Sequence, residues 1–115
     1  MSDSLFGIHG AALELRSQRM GLLTSNIANA ATPGYKARDI DFAVALEARV
    51  AGRSAPDAVH NSLRFRMPTM PSIDGNTVEL ANEQIAFAEN ALAYSATLSF
   101  VQGRAEKLTR ALRGE

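Results

Sequence analysis

Asn26-Ile-Ala-Asn-Ala-Ala-Thr-Pro-Gly-Tyr-Lys-Ala-Arg-Asp-Ile-Asp-Phe42 interrupts a chain that is patterned for helix before it and again after residue 77, and the break falls at Pro33-Gly34. Proline brings a preset φ and glycine tolerates positive φ, so Thr32-Pro33-Gly34-Tyr35 has the residue chemistry of a type II turn. Pro33 also pushes Thr32 out of the helical region. One helix ends here and another excursion begins.

Upstream, apolar residues recur at steps of three and four, through Leu5, Ile8, Ala12, Leu15 and Leu22, with Met20, Leu23 and Ile27 widening the stripe. This is a helix with one apolar face. The same count lands on Arg19, Asn26 and Asn29, which places both asparagines on the buried side. Two readings are open for them. Asn tolerates the left-handed geometry of a helix end and caps it, or a polar residue on a packed seam fixes register at some cost in stability. The seam role is favoured here, and on it a leucine at position 26 would tighten helix association while loosening its register.

Downstream of the turn, Asp39 or Asp41 is placed to cap a short helix carrying Phe42, Ala45, Leu46, Arg49 and Val50, which Gly52 ends. Two carboxylates two apart do not face each other on a helix, so capping accounts for them better than acid/base chemistry. Between Gly52 and Asn76 the prolines Pro56, Pro68 and Pro71 and one brief alternation, Leu63-Arg-Phe-Arg-Met67, read as a long loop with at most one short strand. Arg64 and Arg66 fit an edge strand as well as they fit phosphate contact. From Leu80 onward the pattern is heptad-like: Leu80, Gln84, Phe87, Ala91, Tyr94, Leu98, Val101, Ala105, Leu108 and Leu112 step by four and three. Ile85, Ala88 and Leu92 add a second stripe, so this helix is expected to meet more than one neighbour. Gly103 costs about 1 kcal/mol relative to alanine, and a neighbouring backbone passing close by would explain it.

The chain of 115 residues is expected to be one all-α domain. Its parts are an N-terminal helix in residues 1–32, a turn, short helix and partly irregular loop in 33–79, and a C-terminal helix in 80–115. The two long helices are expected to form a coiled-coil-like pair. Seams this long exceed what one small domain hides, so a free subunit is expected to be only partly helical. Twelve basic and twelve acidic residues cancel, which argues against nucleic acid as a main partner. No run is long and apolar enough to span a membrane, the first residues lack the marks of a cleaved signal peptide, and there is no cysteine. His9 and His60 have no companions at metal spacing. With no nucleophile–base pairing and no phosphate-cradling glycine loop, neither an enzyme, a cofactor, a metal nor a small-molecule substrate is expected.

Asn26-Ile-Ala-Asn29 followed by Thr32-Pro-Gly-Tyr35 resembles the rod, hook and filament proteins of the bacterial flagellar axis. Tyr35-Lys-Ala-Arg-Asp-Ile-Asp-Phe42 together with Asp74-Gly-Asn-Thr-Val-Glu-Leu80 narrows the resemblance to the small proximal-rod proteins of the basal body. It spans nearly the whole chain and is weakest between Gly52 and Pro71. The resemblance implies a structural subunit of the proximal rod, a tube that transmits torque and encloses the export channel. It implies export through the flagellar type III apparatus without a cleaved signal peptide, a periplasmic location, and contacts with copies of itself, other rod proteins, the ring and adaptor proteins at the rod base, and the export apparatus. On this reading the assembly interface comprises Leu5, Ile8, Leu15, Leu22, Asn26 and Asn29 on the first helix and Phe87, Tyr94, Leu98, Val101, Leu108 and Leu112 on the last. Thr32, Pro33, Gly34 and Tyr35 form the motif turn. Phe42-Ala-Val-Ala-Leu46 resembles the export-gate signal of rod and hook subunits, Phe42 and Leu46 being its ends, although an ordinary amphipathic helix face explains it as well. The rivals are another flagellar rod protein, or a cytoplasmic coiled-coil adaptor or export chaperone, which has no use for the Asn-Ile-Ala-Asn motif.

Overall fold

The computed structural model describes residues 2–114, with side chains from residue 7 onward. Six elements follow in order: α1 (Ser2–Ala28), β1 (Arg38–Ile40), α2 (Phe42–Val50), α3 (Ala55–Ser62), β2 (Leu63–Phe65) and α4 (Leu80–Arg113). The molecule is elongated, 64 × 25 × 18 Å. α1 and α4 lie antiparallel: Asn26 meets Glu83, Asn90 reaches the Arg16 carbonyl, and the rings of His9 and Phe100 stand 4.2 Å apart. Near its start α1 is kinked at Gly7, whose φ of 59° and ψ of −136° no ordinary residue in a helix adopts.

The turn forms as its residues dictate. The Tyr35 N–H donates to the Thr32 carbonyl at 3.2 Å and Gly34 takes a φ of 75°. Asp41 caps α2, its Oδ1 accepting from the Val44 N–H at 3.3 Å. The segment read as one long loop is structured in its first half. Ser54 caps α3 by accepting from the Asp57 N–H, and Pro56 sits in the first turn, where a missing N–H costs nothing. β2 then pairs antiparallel with β1, with Arg38 opposite Phe65, Asp39 opposite Arg64 and Ile40 opposite Leu63. Among the described residues the chain is therefore mostly helical, four helices with a small two-stranded ribbon where the sequence allowed a short β element.

The apolar core sits where α1 meets α2 and α3, around Leu15, Ile40, Ala45 and Ala58, with Leu22, Phe42, Leu46, Ala48, Val59 and Leu63 packed on it. The heptad of α4 is not the axis of the α1–α4 contact. Leu80 and Gln84 are exposed, Phe87, Ala91, Tyr94, Leu98 and Val101 are half-buried, and the residues of α4 that are fully enclosed are Glu83 and Asn90. The contact face is thus centred on two polar side chains, flanked by half-buried Phe87 and Tyr94 of the apolar seam, and the coiled-coil-like pairing expected from the sequence is not confirmed. Among the described residues, no atom lies within 4 Å of where a Cβ on Gly103 would stand.

Leu15 is fully enclosed, whereas Leu112 is 81% exposed. Leu15→Ala should cost about 2–5 kcal/mol through lost burial and the cavity left behind, and Leu112→Ala should stay within about 0.5 kcal/mol of the parent. Urea unfolding of the isolated subunit checks both; equal losses would place the core elsewhere.

Candidate assembly interface and the polar junction behind it

Helix α1 ends at Ala28, and its last carbonyls are met locally by the N–H groups of Asn29 and Ala30 and by Asn29 Nδ2. The carbonyls of the turn just beyond it take their donor from the second sequence motif. Asn76 is buried, and its Nδ2 reaches the carbonyls of Asn29, Ala30 and Thr32 at 2.9, 3.1 and 2.7 Å. Asp74 shapes the turn that aims it, with Oδ1 accepting from the Asn76 N–H at 3.0 Å and the Ser72 hydroxyl at 2.9 Å. The backbones are stitched as well: Gly34 N–H to the Asp74 carbonyl at 3.0 Å, Thr77 N–H to the Tyr35 carbonyl at 2.9 Å, and Ala37 N–H to Thr77 Oγ1 at 2.8 Å. Gly75 completes the fit with a φ of 80°, a conformation that side chains other than glycine rarely take. The two stretches that carry the family resemblance are each other's binding partners.

The asparagines three apart divide their work. Asn26 Nδ2 donates to the Arg38 carbonyl and to Glu83 Oε1, both at 2.8 Å, while its Oδ1 accepts from the Arg38 N–H at 3.1 Å and the Tyr35 hydroxyl at 3.3 Å. Asn29 instead turns back on its own helix, donating to the Ser25 carbonyl at 2.8 Å and accepting from the Thr32 hydroxyl at 3.1 Å. Asn26 is therefore a hub joining α1, β1 and α4, and Asn29 serves the helix end.

Beside Asn26 runs a line of alternating charges. Arg19 grips Asp39 with two bonds of 2.8 Å, Arg66 Nη2 adds a third to Asp39 at 2.9 Å, and Arg66 Nε stands 2.6 Å from Glu83 Oε2. That last contact is an ion pair whose angle is too bent for a proper hydrogen bond. Glu83 is fully enclosed, a position a carboxylate holds only when paired. Burial pushes the Asp39 carboxyl up, but the hydrogen bonds and charge of Arg19, the Ile40 N–H and Arg66 outweigh it and hold the group below the usual carboxylate range. Neither Arg66 nor Asp39 is free for a ligand or for cap duty.

Several residues assigned to the assembly interface serve the subunit's own interior. Leu15 is enclosed in the core, Leu22 packs against it, and Asn26 is enclosed in the junction. Phe42 and Leu46 also pack on the core, and the Arg16 guanidinium lies 4.3 Å over the Phe42 ring. Leu5 falls outside the residues whose side chains are described. Ile8, Leu108 and Leu112 are exposed, and Ile85 and Leu92 of the second stripe are more than half exposed. All of these but Ile8 lie along α4. Glu83, Asn90 and Asn76 escaped the sequence reading, because no local pattern announces a polar residue whose partner lies dozens of positions away. Among the described residues there is no cluster of metal-binding side chains, and no helix is long and apolar enough to cross a membrane.

A family model described as "Flagella basal body rod protein" matches residues 7–36. The "Flagellar basal body rod protein FlgB" of Cereibacter sphaeroides is 49% identical over 121 aligned residues, covering 95% of this chain and 94% of that protein. The protein of the same name from Aeromonas hydrophila is 41% identical, covering 98% of this chain and 96% of its own length. That of Escherichia coli strain K12 is 38% identical, covering 96% and 94%.

Asn26→Leu should weaken the fold by about 1–3 kcal/mol, because Glu83 and the Arg38 backbone lose partners in a closed space. This reverses the tightening that a seam role implies, and a thermal melt distinguishes the two by sign. Acid should act through Asp39. A carboxyl whose pKa is lower folded than unfolded adds stability that is complete above the ordinary value of about 4 and is lost as the pH falls through the folded value. Unfolding free energy should therefore drop below about pH 4, and Asp39→Asn, already weakened, should show a shallower acid drop.

Proposed function

The chain belongs to the FlgB family of flagellar basal body rod proteins, structural proteins and not enzymes, and from that premise we propose that it builds the proximal part of the rod through the apolar faces its own fold leaves open. It is a structural subunit of the basal body rod. The observation that supports the finer reading is the state of α4, a helix of 34 residues whose enclosed side chains lie in its first third while Leu108 and Leu112 stay open at the far end. Staves of this kind, contributed by neighbouring subunits, close into a tube when each covers the next. The proposed partners are copies of this chain, other rod proteins and the proteins at the rod base.

Export through the flagellar type III apparatus fits the placement of Phe42 and Leu46. Both are packed in the folded subunit, so a signal made of them is legible to an export gate only in an unfolded chain. Folding after passage then hides the signal. The interior that hides it is complete within one subunit, and the surfaces that assemble are elsewhere.

Leu108 is 41% exposed, so an aspartate there leaves the subunit's fold intact while placing a charge in the proposed seam. Leu108→Asp cells should export the protein at parental level and lack rods, read as a loss of motility and of basal bodies in electron micrographs. Normal swimming by that strain would refute the role of this face.

A further inference from the structure

Asp74-Gly75 is the chain's one Asp-Gly step, and Asn-Gly does not occur in it. An aspartate followed by glycine is open to attack by its own backbone, because no side chain shields the next nitrogen and glycine lets the chain bend onto the carboxyl. The Gly75 nitrogen bonds to Cγ of Asp74 while the protonated carboxyl gives up its hydroxyl, which leaves as water with the amide proton. The product is a five-membered succinimide. Water then reopens the ring at either carbonyl: attack at Cγ restores aspartate, and attack at the main-chain carbonyl leaves the backbone running through the side chain as isoaspartate.

In the folded subunit Asp74 is exposed, so access of water is not what limits this chemistry. The junction is. Asp74 Oδ1 accepts from the Asn76 N–H at 3.0 Å and from the Ser72 hydroxyl at 2.9 Å, and the two carbonyls around the reacting nitrogen are pinned as well, that of Asp74 by the Gly34 N–H and that of Gly75 by the Lys36 ammonium. Ring closure has to swing Cγ onto the Gly75 nitrogen, and the swing breaks the bonds at Oδ1. The turn has little room to follow, since a Cβ on Gly75 would already stand 3.6 Å from Gly34 Cα and from Lys36 Nζ. The Asn76 N–H and the Ser72 hydroxyl also hold the Asp74 carboxyl below the usual carboxylate range, which depletes the protonated form that ring closure consumes.

We propose that Asp74-Gly75 is a site of spontaneous succinimide and isoaspartate formation that the closed junction protects, so that the modification marks chains whose junction has stood open. Its effect on such a chain follows from the covalent geometry. Isoaspartate lengthens the backbone by one carbon–carbon bond, about 1.5 Å, and turns the carboxyl that held the Asn76 N–H into a peptide link. Asn76 then no longer meets the three turn carbonyls that it reaches at 2.7, 2.9 and 3.1 Å. A marked chain cannot close its junction. The inference concerns the chain's own covalent chemistry and stands apart from the assembly reading.

The full-length protein is held at neutral pH and one temperature, in buffer and in guanidinium chloride, and residue 74 is followed by peptide mass spectrometry with electron-transfer fragmentation, which separates the two isomers. Isoaspartate at position 74 should accumulate at least tenfold faster in the denaturant. Equal rates overturn the proposal. Ser72→Ala, altered at an exposed position, removes one of the bonds at Oδ1. It should raise the rate in buffer at least twofold and leave the rate in denaturant unchanged, whereas no rise in buffer, or an equal rise in both, contradicts protection by these bonds. Aged chains are finally diluted out of denaturant and the folded fraction is separated by size-exclusion chromatography. That fraction should carry aspartate at position 74, with isoaspartate left in chains that fail to regain helical circular dichroism; isoaspartate chains that refold to the parental melting temperature overturn the claim that the mark keeps the junction open.

Discussion

A tight turn packed against its own chain must find donors for its carbonyls, and the rest of this structure follows from how the turn after α1 solves that problem. One buried amide, Asn76, serves three of the carbonyls just beyond α1, and it can do so only because Asp74 and Gly75 turn the chain to aim it. Once Asn76 is in place, residues 77–79 lie beside Tyr35 and Ala37, and α4 must start where it does. Antiparallel packing against α1 is then the direction left to it. The Thr-Pro-Gly-Tyr turn is the socket, and the later Asp-Gly-Asn-Thr motif is the plug.

Between the two long helices the enclosed contacts are largely polar, which decides what the apolar residues are for. Glu83 is tied to Asn26 and Arg66, Arg66 to Asp39, and Asp39 to Arg19, so one register of α4 on α1 satisfies all of them. A slip by one residue would strand a carboxylate in a closed space, a cost of several kcal/mol. Such a junction contributes specificity more than net stability, while the core of α1, α2 and α3 supplies the burial. Of the heptad of α4, Leu80, Gln84, Leu108 and Leu112 stay exposed while the heptad residues between them are half-buried in the subunit. That division leaves Leu108 and Leu112 exposed at the far end of α4.

Much of this was legible in the sequence where the signal is local. The Pro33-Gly34 turn, the Asp41 cap with the helix from Phe42 to Val50, and the extent of α4 all rest on chemistry within a few residues. The helix Ala55–Ser62 had its start signals in Ser54-Ala-Pro-Asp, but eight residues are too few for a periodicity to stand out against the prolines that follow. β1 is three residues whose partner lies 25 positions on, and no pattern within Arg38–Ile40 foretells it. The seam was misjudged for a physical reason. Apolar periodicity reports every surface that is covered, in the subunit or in the assembly, and does not say which. Glu83 and Asn90 sit one helical position off that stripe, and their burial depends on Arg66, Asn26 and the Arg16 carbonyl, none of them near in sequence.

Hydrogen exchange of the full-length free subunit at neutral pH is the most direct test that the polar junction, and not the heptad, organises the fold. The amides of Gly34, Ala37, Arg38 and Thr77, each bonded across the junction, should exchange near the slowest rates in the protein. Those of the last turns of α4, from Thr109 to Arg113, should exchange many times faster. Protection running evenly to the end of α4, with the junction amides open, would contradict the account.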